Sequence, residues 1–175
     1  MSGIPEQRLQ EPRADRPVMP ADYGVPDHDE NLLPWSHARE RLQQSQNYWI
    51  STVRANGSPH ATPIWAVWLD DKLYFDGSPE TQRGKNLARD PRIVAHLESG
   101  SDVVIVEGEA RPLSSPPRSL TERVAAAYRD KYADLGYAPQ ADQWDEGGLY
   151  EMQPRKALAW TSFPTNCTRW RFDGE

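Results

Sequence analysis

Six residues, Tyr48-Trp49-Ile50-Ser51-Thr52-Val53, trailed closely by Ala55-Asn56-Gly57-Ser58, limit the fold of this chain more than any other feature. β-Branched and aromatic side chains crowd a helix and suit a pleated surface. Asn-Gly accepts the positive φ angles of a tight hairpin turn and is the strongest short signal for one. A strand that turns back at once pairs antiparallel with the next strand in the chain. Residues 60–69 therefore read as a second long strand, Asp70-Asp71 as a second tight turn, and residues 72–75 as a third strand. The outcome is an antiparallel meander.

The flanking segments extend this pattern. Ser36 is placed to cap a short helix running to about Gln46. Ser78-Pro79-Glu80-Thr81 reads as a helix start, with serine at the cap and proline at the first helical position. Pro91 stops that helix. Strands are expected at residues 92–97 and 102–111, with Gly108 marking a bulge. Pro116-Pro117 opens a third helix, in which Leu120, Val124, Tyr128 and Tyr132 form one apolar stripe. Residues 134–147 read as a loop, and residues 148–152, 156–161 and 168–172 as closing strands. About seven strands with three small helices indicate a mainly β protein, a β-barrel with helices packed on it.

Composition sets the class. The 175 residues suffice for one domain. Residues 1–34 hold six of the 16 prolines and lack apolar periodicity, so they read as an extended arm preceding a domain at 35–175. The chain carries 20 Lys and Arg against 26 Asp and Glu, a net charge of -6. An acidic chain without a dense basic run argues against nucleic acid as a partner. No apolar run approaches a membrane span, and residues 1–10 lack the basic and apolar regions of a signal peptide. Cys167 is the sole cysteine, which excludes an intrachain disulfide and a cysteine-based metal site. These features together predict a cytoplasmic protein that binds neither membrane nor nucleic acid and holds no metal.

Common catalytic signatures are missing: there is no Gly-x-Ser-x-Gly, Walker loop, Gly-x-Gly-x-x-Gly or His-Glu-x-x-His. The informative stretch is Gly77-Ser78-Pro79-Glu80-Thr81-Gln82-Arg83-Gly84-Lys85-Asn86. It gathers two hydroxyls, two cations and two glycines around a helix start, where free N–H groups and the helix dipole favour an anion. A solvated, capped helix face is the plainer alternative. In Thr62-Pro63-Ile64-Trp65-Ala66-Val67-Trp68 the two tryptophans fall on opposite faces of a strand. One suits the core, and the other suits a planar ligand or a partner. Pro63 cannot donate a ladder bond, which puts an edge or an interruption there. The segments around Trp160-Thr161-Ser162-Phe163-Pro164 and Thr168-Arg169-Trp170-Arg171-Phe172 are aromatic and basic together, compatible with a closing strand, a lid or an interface.

Taken in order, these residues form a familiar series: Trp49-Ile50-Ser51-Thr52-Val53, Gly57-Ser58-Pro59-His60, Thr62-Pro63-Ile64-Trp65, Leu73-Tyr74-Phe75, Arg83-x-Lys85-Asn86-Leu87-x-x-Asp90-Pro91-Arg92 and Val106-Glu107-Gly108-Glu109-Ala110. The series resembles the pyridoxamine 5'-phosphate oxidase-like superfamily, the flavin- and deazaflavin-binding split β-barrels, over residues 35–172. The resemblance implies a six-stranded antiparallel split barrel of the FMN-binding type, and a homodimer with two cofactors at its interface. The implied cofactor is FMN or coenzyme F-420. Matching positions place Thr62, Pro63, Ile64 and Trp65 against the ring system. They place Asp76, Gly77, Ser78, Thr81, Arg83, Lys85 and Asn86 around the phosphate. Trp160 and Phe163 would come from the other subunit, and Arg89, Arg92 and Arg155 would add positive charge for the acidic tail of F-420. The implied activity is an oxidoreductase passing hydride between the (deaza)flavin and a small organic substrate. In such a reaction the cofactor carries the chemistry, so no side chain is assigned as catalytic. The oxidases proper have a longer C-terminal substrate-binding portion, so a related reaction is expected rather than oxidation of pyridoxamine phosphate itself. The alternative is a non-catalytic flavin-binding carrier dimer.

Overall fold

The computed structural model describes residues 11–172. The first ten residues of the arm, and the signal-peptide reading made on them, lie outside the described residues. In chain order the elements are β1 (Arg13–Asp15), α1 (Trp35–Gln44), β2 (Tyr48–Val53), β3 (Pro59–Ile64), β4 (Val67–Leu69), β5 (Lys72–Asp76), α2 (Gln82–Arg89), β6 (Arg92–His96), β7 (Val103–Pro112), α3 (Arg118–Tyr132), β8 (Leu149–Trp160) and β9 (Thr168–Arg171). Single turns of tighter helix lie at Ala21–Tyr23 and Ala133–Leu135.

Both expected hairpins form. Gly57 takes φ 82°, its N–H donates to the Arg54 carbonyl, and β2 pairs with β3 from Tyr48 opposite Ile64 to Val53 opposite Pro59. Asp70 and Asp71 both take positive φ, 51° and 55°, the left-handed pair that a two-residue hairpin requires. Asp71 also accepts hydrogen bonds from Trp35 Nε1 at 3.2 Å and from Arg39 Nε and Nη2 at 3.0 and 3.1 Å. The same turn therefore ties α1 to the β4–β5 hairpin.

Nine strands form among the described residues, not six, and the sheet does not close into a barrel. Its order is β1-β9-β8-β7-β6-β2-β3, with the β4–β5 hairpin joined through β5 to β8. Three differences from the sequence reading account for the count. First, the long strand expected at 60–69 breaks at Trp65-Ala66 into β3 and β4. Second, the strands expected at 148–152 and 156–161 are one strand, β8. Third, β1, in the arm, was not expected and pairs with β9 of the same chain.

β8 runs for 12 residues and serves three partners. One edge pairs with β7 over nearly its whole length. The other edge pairs with β5 from Leu149 to Met152 and with β9 from Lys156 to Ala159. A bulge falls where Gly108 suggested one, but the extra residue is Arg155, on β8. Gly108 is required because a Cβ there would lie 2.2 Å from the Gln153 carbonyl oxygen.

Two of the three helices start differently from expectation. Pro34, not Ser36, occupies the N-cap of α1. Thr81 caps α2, three residues later than Ser78, because Ser78 is engaged in a turn in which its Oγ accepts from the Glu80 N–H. α3 starts after Pro117 as expected and buries Val124, Tyr128 and Tyr132. Two apolar clusters result. The larger lies on the inner face of the sheet around Trp35, whose ring meets Trp68, Trp170 and Phe172 edge-on. The second packs α3 against Val67, Tyr74, Trp144 and Leu149. No helix among the described residues is long and apolar enough to cross a membrane.

The close approach at the bulge is testable by substitution. Gly108→Ala should destabilise the protein by about 1–3 kcal/mol, the range for overpacking against backbone that cannot move aside. Gly100→Ala, with nothing within 4 Å of the new methyl, should change it by less than about 0.5 kcal/mol. Urea unfolding of the two variants checks the difference.

Candidate functional site

The exit of β5 and the start of α2 are built as one unit. Thr81 Oγ1 accepts from the Gly84 N–H at 3.0 Å and donates to the Ser78 carbonyl at 2.8 Å. Gly84 lies against Pro79 so closely that a Cβ would sit 2.6 Å from the Pro79 carbonyl oxygen. This packing turns the first residues of α2 back over β5. Arg83 therefore lies over the Phe75 ring, 5.3 Å from its centroid, and Nη2 donates to the Asp76 carbonyl at 3.0 Å. Gly77, lacking a side chain, leaves the room that Nη2 occupies.

The electrostatics of Arg83 are unusual. Burial pushes its pKa below the ordinary arginine value, with Tyr150 and Asp76 opposing more weakly. No carboxylate forms an ion pair with it among the described residues. A guanidinium has five N–H donors, and the Asp76 carbonyl takes one. A partly buried cation at a helix N-terminus, with donors to spare, is chemically suited to hold an anion.

Asp76 is held from the other side. Its Oδ2 accepts from the Tyr137 hydroxyl and from Gln143 Nε2 at 3.2 Å, and Gln143 Nε2 also reaches Tyr137 Oη at 2.7 Å. Burial and this carboxylate push the Tyr137 pKa up. Trp65 stacks on Tyr132, with centroids 4.9 Å apart and planes 16° apart, and leans on Tyr137 at 6.0 Å. Tyr137 thus links Trp65 to Asp76. A cleft of about 340 Å³ opens between Asp76-Gly77-Ser78 and the loop carrying Gln143 and Gly148. Another of about 310 Å³ adjoins Pro63, Ile64 and Trp65. A third, of about 670 Å³, lies beside Thr52, Arg92, Glu107 and Arg155.

The expected site residues separate into three groups. Asp76, Gly77, Ser78, Thr81 and Arg83 come together, and Trp65 joins them through Tyr137. Thr62, Pro63 and Ile64 lie on β3, at the edge of the sheet as Pro63 suggested, although the interruption comes later, at Trp65-Ala66. Lys85 and Asn86 point elsewhere. Lys85 is exposed and pairs with Glu80 at 3.3 Å. Asn86 is buried, donating to Thr52 Oγ1 at 2.9 Å and accepting from Gln82 at 2.8 Å, so it ties α2 to β2. Trp160 and Phe163 pack together at 5.9 Å at the far end of β8. Leu149, which pairs with Asp76, is at the near end. An extended strand rises about 3.3 Å per residue, so roughly 35 Å of chain separates them.

Sequence reasoning missed Tyr137 and Gln143, which lie in a loop with no periodic signal. His60 on β3, part of the Gly57-Ser58-Pro59-His60 series above, has its imidazole held below its ordinary pKa by burial and by the charges of Arg54 and Arg83.

The described residues thus form an open, mainly antiparallel β domain in which a basic helix start lies near the aromatic cluster of Trp65, Tyr132 and Tyr137. The chain belongs to the pyridoxamine 5'-phosphate oxidase family, whose model matches residues 35–161. No curated protein sequence matches it. Solved structures of similar fold include a conserved hypothetical protein from Mycobacterium tuberculosis (TM-score 0.60, 20% identity, covering 78% of this chain and 89% of that one). A haem-binding protein from Mycobacterium smegmatis is also similar (TM-score 0.61, 17% identity, covering 77% of this chain and 56% of that one). So is an F420 reductase (TM-score 0.52, 18% identity, covering 67% of this chain and 94% of that one).

The division between Asn86 and Lys85 is testable by stability. Asn86→Ala leaves the buried Thr52 hydroxyl without its donor and should cost about 1–3 kcal/mol. Lys85→Ala should change stability by less than about 0.5 kcal/mol. Thermal melts of both variants distinguish the roles.

Proposed function

We propose that this chain is an FMN- or coenzyme F-420-binding oxidoreductase that works as a homodimer, with Arg83 anchoring the cofactor phosphate. The observation that carries the reading is Arg83 itself, a desolvated cation without a carboxylate partner among the described residues, aimed across a helix start. Family membership supplies the cofactor class. The residues present fit the group. Arg83 and the start of α2 suit a phosphate, and Trp65, held against Tyr132 and Tyr137, suits one wall of a planar ring system. Lys85 is assigned to the surface rather than to the phosphate. When bound, the (deaza)flavin supplies hydride transfer to or from a small organic substrate. The protein's share is to bind, orient and keep water out.

Two observations support the dimer. The outer sheet face carries a partly exposed row in which the strand register sets Trp49, His96, Ile105 and Leu158 side by side, with Val94 and Trp160 on the same face. Trp160 and Phe163 are too far from Asp76 within one chain to share its site, whereas those of a second copy docked on this face could reach it. Phe163 is 45% exposed, which suits such a contact. In this reading residues 35–175 are the binding domain. The arm, of which Arg13–Asp15 pairs with β9 and Asp15 takes a two-point contact from Arg169, is an accessory to it.

Fluorescence titration with FMN, F-420 and riboflavin tests the reading. Arg83→Ala should weaken the phosphorylated cofactor by about 10- to 100-fold, since a charge-assisted hydrogen bond contributes about 1.5–3 kcal/mol. Riboflavin, which lacks the phosphate, should be little affected. Unchanged affinity for FMN and F-420 in Arg83→Ala, or binding of haemin with no flavin binding, overturns it. Sedimentation at micromolar concentration should give a dimer mass, and a monomer mass would overturn the dimer.

A further inference from the structure

The break between β3 and β4 leaves the Ala66 N–H and carbonyl without ladder partners, and the residue is fully buried. The last turn of α3 replaces the missing ladder. The Ala66 N–H donates to Tyr132 Oη at 3.1 Å, and Tyr132 Oη lies 2.8 Å from the Ala66 and Gln46 carbonyls. Lys131 Nζ donates to the Ala66 carbonyl at 3.3 Å, to the Ser45 carbonyl at 2.9 Å and to Tyr48 Oη at 3.0 Å. An ammonium group has three N–H donors, and here each has one acceptor. Lys131 is thus the knot joining the α1–β2 connection, the start of β2 and the strand break.

Trp65 immediately precedes Ala66, and its indole lies flat on Tyr132. Anything that shifts the Ala66 peptide shifts Trp65. We propose that Lys131 is a positioning residue, one that fixes the Trp65 indole against the cleft by holding the Ala66 carbonyl. The assignment of Trp65 to a cofactor wall rests on the function proposed above, whereas its dependence on Lys131 does not.

The groups facing Nζ make the arrangement sensitive to pH. Tyr48 on β2 and Tyr132 on α3 are the titratable neighbours, and burial pushes both phenols up, Tyr132 to about 12. α1 and β4 contribute no charge to the adjoining cleft of about 440 Å³; Asp130 lines it, but no carboxylate pairs with Nζ among the described residues. Burial pulls the Lys131 pKa down to about 8. Raising the pH through that value turns a three-donor ammonium into a two-donor amine, and one of the three acceptors loses the hydrogen bond donated to it while both phenols remain neutral.

Fluorine NMR of protein labelled with 5-fluorotryptophan tests this, with Trp65→Phe assigning the resonance. In the wild type the Trp65 signal should move with a midpoint near pH 8, while the distant Trp160 signal stays still. In Lys131→Met and in Lys131→Arg, which keeps its charge throughout, that titration should vanish. A Trp65 signal that is flat in the wild type, or titrates equally in the variants, overturns the proposal. If Lys131→Met fails to fold, the wild type and Lys131→Arg decide it. Where the wild type binds FMN, Lys131→Met should weaken FMN and riboflavin equally, by about tenfold, as loss of a ring wall requires. Arg83→Ala instead spares riboflavin. A protein that binds no flavin but shows the Trp65 titration would refute the proposed function alone.

Discussion

The architecture depends on one strand serving three others. β8 is hydrogen-bonded along one edge to β7 and along the other first to β5 and then to β9. Among the described residues, strand pairing joins the β4–β5 hairpin, the central sheet and the C-terminal strand only through it. Twelve residues is long for a strand, and the twist of a strand that long would pull its two ends out of register with a straight neighbour. The bulge at Arg155 relieves this by changing the register once, between the β5-paired half and the β9-paired half. Gly108 is the complementary concession on β7, where the backbones approach too closely for any side chain.

At one end of that strand, the electrostatic character of the candidate site comes from geometry more than from composition. The protein is acidic overall, yet Arg83 is drawn under the turn by the Thr81 cap and the Gly84–Pro79 contact. There it is partly buried, and the oxygen it bonds is a carbonyl rather than a carboxylate. A cation held this way stays hungry for an anion, because its desolvation has not been offset by a full partner. Asp76 could have neutralised it, but Tyr137 and Gln143 hold that carboxylate turned away. Tyr137 and Gln143 thus keep the Asp76 carboxylate engaged, and Arg83 has no carboxylate partner among the described residues.

Local signals were legible and long-range ones were not. Tyr48–Val53, the Asn56-Gly57 turn and the Asp70-Asp71 turn were readable because each is fixed by the conformational preferences of a few adjacent residues. Pro63 was visible in the same local way, and the break at Ala66 was not. Proline announces its missing N–H in the sequence, whereas Ala66 is interrupted by partners 65 and 66 residues away on α3. Arg83 was legible as part of a charged helix start. That Lys85 faces solvent and Asn86 is buried depended on where the helix begins, and Thr81 rather than Ser78 sets that. Moving the start by three residues rotates which side chains face the cleft. β1 was missed because a three-residue strand in a proline-rich arm has no pattern of its own and exists only by pairing with β9.

The prolines of β3 carry a consequence for how this molecule keeps company. An open sheet ends in strands whose free N–H and carbonyl groups invite another strand to add on, the first step toward fibrils and uncontrolled aggregation. Here β3 is such an end, and Pro59 and Pro63 remove donors from both of its ends. The opposite end, β1, is only three residues long. Growth by edge pairing is thus discouraged at β3 and at β1.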